Sequence, residues 1–272
     1  MTGLGKKNRL NKLFDAKTGN SIIVPMDHGI EGYFAELEDP LDLVASIADA
    51  GADGFLMRRG LARLSADVRG KAGWVARLTG RTGVAVAKDM MLDLDQLVTG
   101  TVEQALRNGA DAVVPTFFFG DPPEQKILTV LGVMSDKCEE LGMPLCAEVF
   151  PVGGPDAEPY NGPYTVDDMR VTVRAASEMG GDFIKTWYSG DPESFHKIVA
   201  YSTIPVLIAG GPKADTNQEV LEMVKGAMDA GAKGTVVGRK IWQSPDPPAM
   251  IHALRMIVHE GADVGVAMGA FG

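Results

Sequence analysis

A lysine lies in the middle of a short apolar segment that reads as a buried β-strand. The segment DFIKTW spans residues 182–187, with Lys185 near its centre. Burial removes water from an ammonium group, lowers its pKa and favours a neutral amine. A neutral amine attacks ketones to form a Schiff base, an electron sink for making or breaking carbon–carbon bonds. Lys185 is therefore a candidate nucleophile, and a salt-bridged structural lysine is the alternative.

A second lysine has a similar setting. Lys88 ends the apolar run VAVAK and is followed by Asp89. The same chemistry makes Lys88 a rival imine former. It could instead pair with Asp89 or Asp27, or contact a polar substrate.

Candidate acid and base groups follow two other apolar runs. Asp27 and His28 follow SIIVPM, and Glu148 lies within PLCAEVF, on the same strand face as Phe150. His28 titrates near neutrality, which suits proton transfer or binding of substrate hydroxyls. A carboxylate on a buried strand needs a partner or a role. For Glu148 we weigh catalysis against a salt bridge to Lys88 or Lys185.

Two glycine turns point to a bound anion. The runs IAGGPK and VVGRKIW place Gly210, Gly211 and Gly238 where apolar segments end, with Arg239 beside the last of them. Glycines allow backbone N–H groups to approach an anion closely, and arginine adds a planar fork of donors. The pattern predicts a phosphate site, and ordinary tight turns are the alternative.

A recurring phrase indicates how these groups are positioned. At four places along the chain an amphipathic run ends at a glycine and an apolar run follows: AGADGFLM, NGADAVVP, MGGDFIKT and AGAKGTVV. With further apolar runs they predict eight strands, at 21–27, 53–57, 83–89, 111–117, 144–150, 182–187, 204–210 and 233–238. Helical periodicity is clearest at 39–50, 94–108, 124–141, 166–179, 217–230 and 247–260. The alternation predicts an α/β fold, a single (β/α)8 TIM barrel over residues 1–272, with an open doubly wound sheet as the competitor.

Three segments fall outside these repeats. Residues 151–165 are rich in proline and glycine and read as the loop after strand five, on the face that carries the reactive groups. Residues 1–18 form a predicted N-terminal arm, and residues 262–272 a C-terminal tail.

Composition excludes several classes of protein. The net charge of −10 argues against nucleic-acid binding, which needs a surplus of Lys and Arg. Cys138 and Cys146 form no CxxC pair, so neither a structural zinc site nor a disulfide scaffold is expected. No signal core or long apolar span is evident. These features predict a soluble cytoplasmic protein without a membrane partner.

The motifs VPMDHGIE, DFIKTWYSGD, IAGGPK and VVGRKIWQ, taken in this order, resemble the archaeal-type class I fructose-bisphosphate aldolase family. That family includes aminodideoxyheptulosonate synthases and the autoinducer-2 phosphate thiolase. The resemblance implies imine formation at Lys185 with a phosphorylated ketose or dihydroxyacetone phosphate. It also implies acid/base work at Asp27, a phosphate at the glycine turns, no metal or cofactor, and a homo-oligomeric ring, either a decamer or a pentamer.

One position departs from the family pattern. Relatives of this kind have a proton-donating tyrosine at the end of strand five, followed by Pro-Arg-Gly, whereas this chain reads Phe150-Pro-Val-Gly. Either Glu148, His28 or Tyr188 replaces the tyrosine, or the reaction differs. We expect condensation of a dihydroxyacetone phosphate equivalent with an aldehyde such as aspartate semialdehyde, or transaldolase-type transfer. An imine-dependent acyltransferase and a non-catalytic phosphosugar-binding barrel are the alternatives.

Overall fold

A computed structural model describes residues 3–80, 82–83, 98–120, 124–152, 164–211 and 216–272. Within these residues nine parallel strands run as β1 Ser21–Pro25, β2 Gly54–Met57, β3 Gly73–Arg77, β4 Ala112–Val114, β5 Thr116–Phe119, β6 Cys146–Pro151, β7 Phe183–Thr186, β8 Val206–Ala209 and β9 Gly234–Val236. The helices are α1 Leu4–Leu10, α2 Pro40–Asp49, α3 Arg59–Leu64, α4 Val102–Arg107, α5 Glu124–Leu141, α6 Val166–Glu178, α7 Pro192–Tyr201, α8 Asn217–Asp229, α9 Arg239–Trp242, α10 Pro247–Val258 and α11 Val264–Ala267.

The strands form a nearly closed barrel, which confirms the predicted fold and overturns the open-sheet alternative. Neighbouring strands follow the order β4-β3-β2-β1-β9-β8-β7-β6-β5. The two end strands, β4 and β5, are consecutive in the chain and are separated by Pro115, which has no N–H to donate. Val113 also pairs with Leu145, at the start of the segment leading into β6. β4 and β5 therefore act as one interrupted strand, and the barrel has eight positions.

The third strand of the barrel is not the one that the sequence pattern predicted. β3 pairs with β2 and with β4 and is formed by GWVAR at 73–77. The predicted third strand, 83–89, lies outside the described residues beyond Gly83. The error arose because only the six-residue helix α3 lies between β2 and β3, so no long helical pattern marked the boundary.

Helices cover the outside of the barrel. Four predicted helices, 39–50, 124–141, 166–179 and 217–230, agree with α2, α5, α6 and α8 to within one residue at each end. Within the described part of the predicted helix 94–108, α4 begins only at Val102, because Thr101 caps its first turn through the backbone N–H of Gln104. The four helix-ending glycines, Gly51, Gly109, Gly180 and Gly231, all have positive φ, as predicted. Among the described residues, no helix has both the length and the apolar character to span a bilayer.

The interior of the barrel is apolar at one end and polar at the other. One buried layer contains a residue from nearly every strand together with Leu13 from the N-terminal segment: Ile23, Leu56, Val75, Ala112, Val114, Cys146, Phe183, Leu207 and Val236. Side chains alternate along a strand, so the residues two or four positions further on also point inward, nearer the carboxyl ends. Those positions hold Asp27, Arg58, Arg77, Thr116, Glu148 and Lys185. The fold thereby collects charged side chains at the end of a barrel where active sites form.

The N-terminal segment closes the opposite end. Leu13 is fully buried, and its side chain packs where Cβ atoms on Gly54 and Gly73 would lie only 2.9 and 2.6 Å from it. Lys6 is also buried and pairs with Glu139 and Asp182 at 2.7 and 3.1 Å. Residues 4–14 therefore act as a plug beneath the apolar layer.

Candidate active site

The structure brings all four predicted catalytic side chains to one cavity. Lys185, Asp27, His28 and Glu148 line a space of about 630 Å³ at the carboxyl ends of the strands. The predicted anion-binding residues Gly210, Gly211, Gly238 and Arg239 line the same cavity. Residues from distant parts of the chain meet because parallel strands all end at the same face of the barrel.

Lys185 and Glu148 form a buried ion pair. The two residues face each other in register on β7 and β6, and Lys185 Nζ lies 2.5 Å from Glu148 Oε1. Their side chains are 9% and 6% exposed. The salt bridge that the sequence left open for Glu148 is therefore present, and it places a proton acceptor directly against the candidate nucleophile.

Arg77 is the residue that the sequence analysis missed. Its Nε donates to Asp27 Oδ2 at 2.6 Å, and its Nη1 contacts both Glu148 and Thr116. The Thr116 hydroxyl also donates to Glu148 Oε2, at 2.7 Å. Arg77 thus connects the two carboxylates of the site. It follows the apolar run GWVA, so an arginine ending a strand-like run was the available signal.

The charges of this network determine the protonation of both carboxyls. Burial by itself raises the pKa of the Glu148 carboxyl, but Arg77 and Lys185 outweigh it and hold that pKa below its ordinary value. Burial likewise raises the pKa of Asp27, and the nearby positive charges, that of Arg77 above all, bring that pKa below its ordinary value. Both groups are therefore carboxylates near neutral pH.

His28 is held in the neutral form. Burial, with contributions from nearby cations, lowers the pKa of His28 from 6.5 to about 4, although Asp27 opposes the shift. Its Nδ1 lies 3.6 Å from Asp27 Oδ1 and has no hydrogen-bond partner among the described residues. The ring packs edge-on against Trp242, with centroids 5.7 Å apart. A neutral imidazole facing a cavity can accept or donate a proton.

The turn at Gly238 has no room for a side chain. A Cβ there would lie 2.6 Å from the Pro25 carbonyl oxygen and 3.2 Å from His28 Cε1. The same carbonyl accepts a 3.0 Å hydrogen bond from Trp242 Nε1, which fixes it in place. Gly211, on the adjacent turn, has φ +53°, in the left-handed region. Both turns expose backbone along the cavity wall beside Arg239.

Aromatic rings form another wall of the cavity. Phe150 stacks on Trp187 with centroids 4.4 Å apart and lies 5.5 Å from Phe118. All three rings line the cavity. The face that carries Glu148 therefore continues into an apolar surface at Phe150.

The other two predicted binding residues are Tyr188, which lies away from the cavity, and Lys88, which is outside the described residues. Tyr188 is absent from the cavity lining, and its ring packs edge-on against Phe195 of α7. Its hydroxyl lies close to Gly226 of α8, and burial raises the pKa of Tyr188 to about 12. Lys88 and most of the predicted loop 151–165 lie outside the described residues.

Comparison with known proteins decides the family. The family model described as DeoC/LacD family aldolase matches residues 21–244. The chain belongs to this aldolase family. Its members' barrel agrees with the architecture described above, and the resemblance drawn from the motifs is confirmed.

Relatives of this aldolase cover its whole length. A 2-amino-3,7-dideoxy-D-threo-hept-6-ulosonate synthase of Halobacterium salinarum is 34% identical over 100% of this chain and 98% of its own. An uncharacterised aldolase of Saccharolobus solfataricus is 33% identical over 97% of this chain and 98% of its own.

Solved structures of relatives match the aldolase closely. The crystal structure of an archaeal fructose 1,6-bisphosphate aldolase superposes with a TM-score of 0.81 at 31% identity, over 94% of this chain and 100% of that one. A second structure, of an archaeal fructose-1,6-bisphosphate aldolase whose catalytic lysine is covalently bound to a carbinolamine intermediate, has a TM-score of 0.80 at 31% identity, over 93% and 99%.

Proposed function

We propose that this class I aldolase forms its Schiff base at Lys185, with dihydroxyacetone phosphate or a related phosphoketone as donor. The observation that carries the proposal is the Lys185 amine, which lies in the cavity 2.5 Å from the Glu148 carboxylate. The nitrogen lone pair attacks the ketone carbon, the carbonyl oxygen takes up a proton, and water leaves to give an iminium ion. That ion accepts the electron pair of the carbon–carbon bond that breaks. In the direction of condensation it first loses a proton from the adjacent carbon to a carboxylate of the site, and the resulting enamine supplies the electron pair of the bond that forms.

Glu148 acts as the proton acceptor for Lys185. An ammonium ion must lose a proton before it can attack, and the carboxylate is already within hydrogen-bond distance. The same carboxyl returns a proton to the departing water. Asp27, held by Arg77, and the neutral His28 line the same cavity and serve proton transfer at the acceptor's oxygen.

The donor phosphate binds at the two glycine turns. Gly210, Gly211 and Gly238 expose backbone to the cavity, and Arg239 supplies a guanidinium beside them. β7, β8 and β9 are neighbours in the sheet, so a triose bound to Lys185 extends directly toward these turns. A fixed phosphate orients the reacting carbon.

The acceptor in this proposal is an aldehyde. One relative is a heptulosonate synthase, so condensation with an aldehyde such as aspartate semialdehyde is a candidate, as is transfer of a three-carbon unit. Because phenylalanine cannot transfer a proton, Phe150 argues against simple fructose-bisphosphate cleavage as the reaction. The family match favours an aldolase over an acyltransferase or a non-catalytic barrel.

Borohydride trapping tests the assignment of the nucleophile. Incubation with dihydroxyacetone phosphate and borohydride is expected to add the mass of the reduced donor to Lys185, located by peptide mass spectrometry. Lys185→Met should abolish the adduct, and Lys197→Met, which removes an exposed lysine of α7, should leave it unchanged. An adduct on Lys88, or none, rejects the assignment.

We further propose that residues 1–272 form one domain in a homo-oligomeric ring located in the cytoplasm. Both cysteines, Cys138 and Cys146, are buried free thiols, which supports a reducing compartment. Sedimentation analysis tests the ring.

A further inference from the structure

Arg58 lies directly across the barrel from Lys185. It follows β2, two residues after the inward-facing Leu56. With β4 and β5 counted as one strand, three strands separate β2 from β7 in either direction round the sheet. The donor, by the function proposed above, occupies the side formed by β7, β8 and β9. A chain extended from the donor's reactive carbon therefore crosses the cavity toward Arg58, which is part of the cavity lining.

The guanidinium of Arg58 is short of partners. Among the described residues it makes one hydrogen bond, from Nη1 to Thr99 Oγ1 at 3.3 Å, and no ion pair. Its Nε is buried without a hydrogen-bond partner there. Arg77, by contrast, is held by two carboxylates. Arg58 is half-buried, and the nearby carboxylates Asp27 and Glu31 act on it only at longer range, so an anion bound directly beside it gains charge-assisted hydrogen bonds.

The surrounding chain makes room for this guanidinium. Gly80 has φ +139°, and a Cβ there would lie 2.1 Å from Arg58 Nη2 and 3.1 Å from its Cζ. The glycine therefore permits the guanidinium to occupy its position at the cavity wall.

The charge balance of the cavity agrees with a second anion. Among the described residues, its lining contains five basic side chains, Arg58, Arg77, Lys185, Arg239 and Lys240, and three acidic ones, Asp27, Glu31 and Glu148. Asp27 and Glu148 are engaged by Arg77 and Lys185. Burial, with a smaller effect from Asp27, raises the pKa of Glu31, which reduces its opposition to an anion. The described part of the lining thus carries more basic than acidic side chains, whereas the net charge of the whole chain is −10.

We propose that Arg58 binds an anionic group, a carboxylate or a phosphate, at the far end of the acceptor aldehyde. This inference rests on the proposed aldolase function and specifies the class of its acceptor. Arg58 is then a specificity-determining residue: it holds the acceptor so that the aldehyde carbon meets the donor on Lys185. A planar fork suits carboxylates and phosphates, to which arginine makes paired hydrogen bonds.

Two aldehydes of equal carbon count test this assignment. Succinic semialdehyde carries a carboxylate, and butanal does not. With dihydroxyacetone phosphate as donor, wild-type kcat/KM should be higher for succinic semialdehyde. In Arg58→Met the ratio of the two kcat/KM values should fall about 10- to 100-fold, the worth of a charge-assisted hydrogen bond. Arg58→Lys, which keeps the charge but not the fork, should lose part of the preference. If Arg58→Met does not fold, Arg58→Lys provides the test.

Arg59→Met is the matched control, because Arg59 is exposed and lies outside this cavity's lining. It should keep the wild-type ratio. Borohydride trapping of the donor at Lys185 should proceed at the wild-type rate in Arg58→Met. An unchanged ratio in Arg58→Met and Arg58→Lys overturns the inference, as does a wild-type enzyme that does not prefer the anionic aldehyde. Slower donor trapping in Arg58→Met would instead assign Arg58 to the donor phosphate. Absence of trapping in the wild-type enzyme rejects the proposed function itself, and with it the ground for this inference.

Discussion

Lys185 and Glu148 face each other in register on adjacent strands, with the amine nitrogen 2.5 Å from a carboxylate oxygen. Arg77 contacts the other oxygen of the same carboxylate and extends to Asp27. The charges alternate along this chain of contacts, so each cation is balanced by a carboxylate. The site can therefore keep four ionisable groups buried together, and removal of any one should affect both stability and chemistry.

Glu148→Gln tests the role of the carboxylate at the nucleophile. We expect the rate of borohydride-trapped adduct formation to fall about 10²- to 10⁴-fold, because the amide cannot accept the lysine's proton. Single-turnover trapping measures this rate. Glu139→Gln is the control, because it removes a carboxylate from another buried lysine, Lys6, at the opposite end of the barrel. A similar loss of trapping in both variants would contradict a direct role for Glu148.

Arg77→Met tests the importance of the arginine for stability. Its removal leaves Asp27 with less compensation and removes one of the two cations on Glu148. We expect the free energy of unfolding to fall by about 3–5 kcal/mol, as for other broken buried ion pairs. Urea denaturation at pH 7 measures the change. Arg174→Met removes a cation from an exposed pair with Glu178 and should cost about 1 kcal/mol or less. Equal effects of the two substitutions would count against a special role for Arg77.

The burial of neutral His28 predicts a pH dependence of stability. The unfolded chain protonates His28 as the pH falls below 6.5, whereas the folded chain does so only near pH 4, where its pKa lies. The unfolded state therefore binds more protons in this window, and wild-type stability should fall between pH 6.5 and 4, by up to about 3 kcal/mol.

His28→Gln removes this particular loss. Urea denaturation at pH 7, 5.5 and 4.5 should show the variant gaining on the wild type as the pH falls. His252→Gln, on the exposed face of α10, is the control and should follow the wild-type curve. Parallel curves for the wild type and His28→Gln would disprove the assignment.

Phe150→Tyr tests what the missing tyrosine means. Phe150 lies two residues after Glu148 on the same strand face, so the added hydroxyl enters the cavity beside the catalytic network. If the chain lacks a proton donor for fructose-bisphosphate cleavage, the substitution should raise kcat/KM for that cleavage at least about 10-fold. Phe118→Tyr, in the adjacent ring of the same wall, is the control and should give no such gain. An unchanged rate would show that another group already serves as donor.

The sequence by itself determined the barrel and most of its candidate residues. Glycines that end helices and apolar runs that follow them are local signals, and they located most of the strands. The carboxyl ends of parallel strands share one face of the barrel. The sequence alone therefore predicted a common site for Lys185, Asp27, His28, Glu148 and the glycine turns.

Only the tertiary structure decided how these groups are paired. Strand register set Lys185 against Glu148, and barrel closure brought Arg77 to both carboxylates across 50 and 71 residues of chain. The short helix before β3 concealed that strand, and with it Arg77. The ring of Tyr188 packs against α7 and α8, outside the cavity. β2 lies opposite β7 in the barrel, and this places Arg58 across the cavity from Lys185. These contacts join residues that are far apart in the sequence, so local sequence patterns do not predict them.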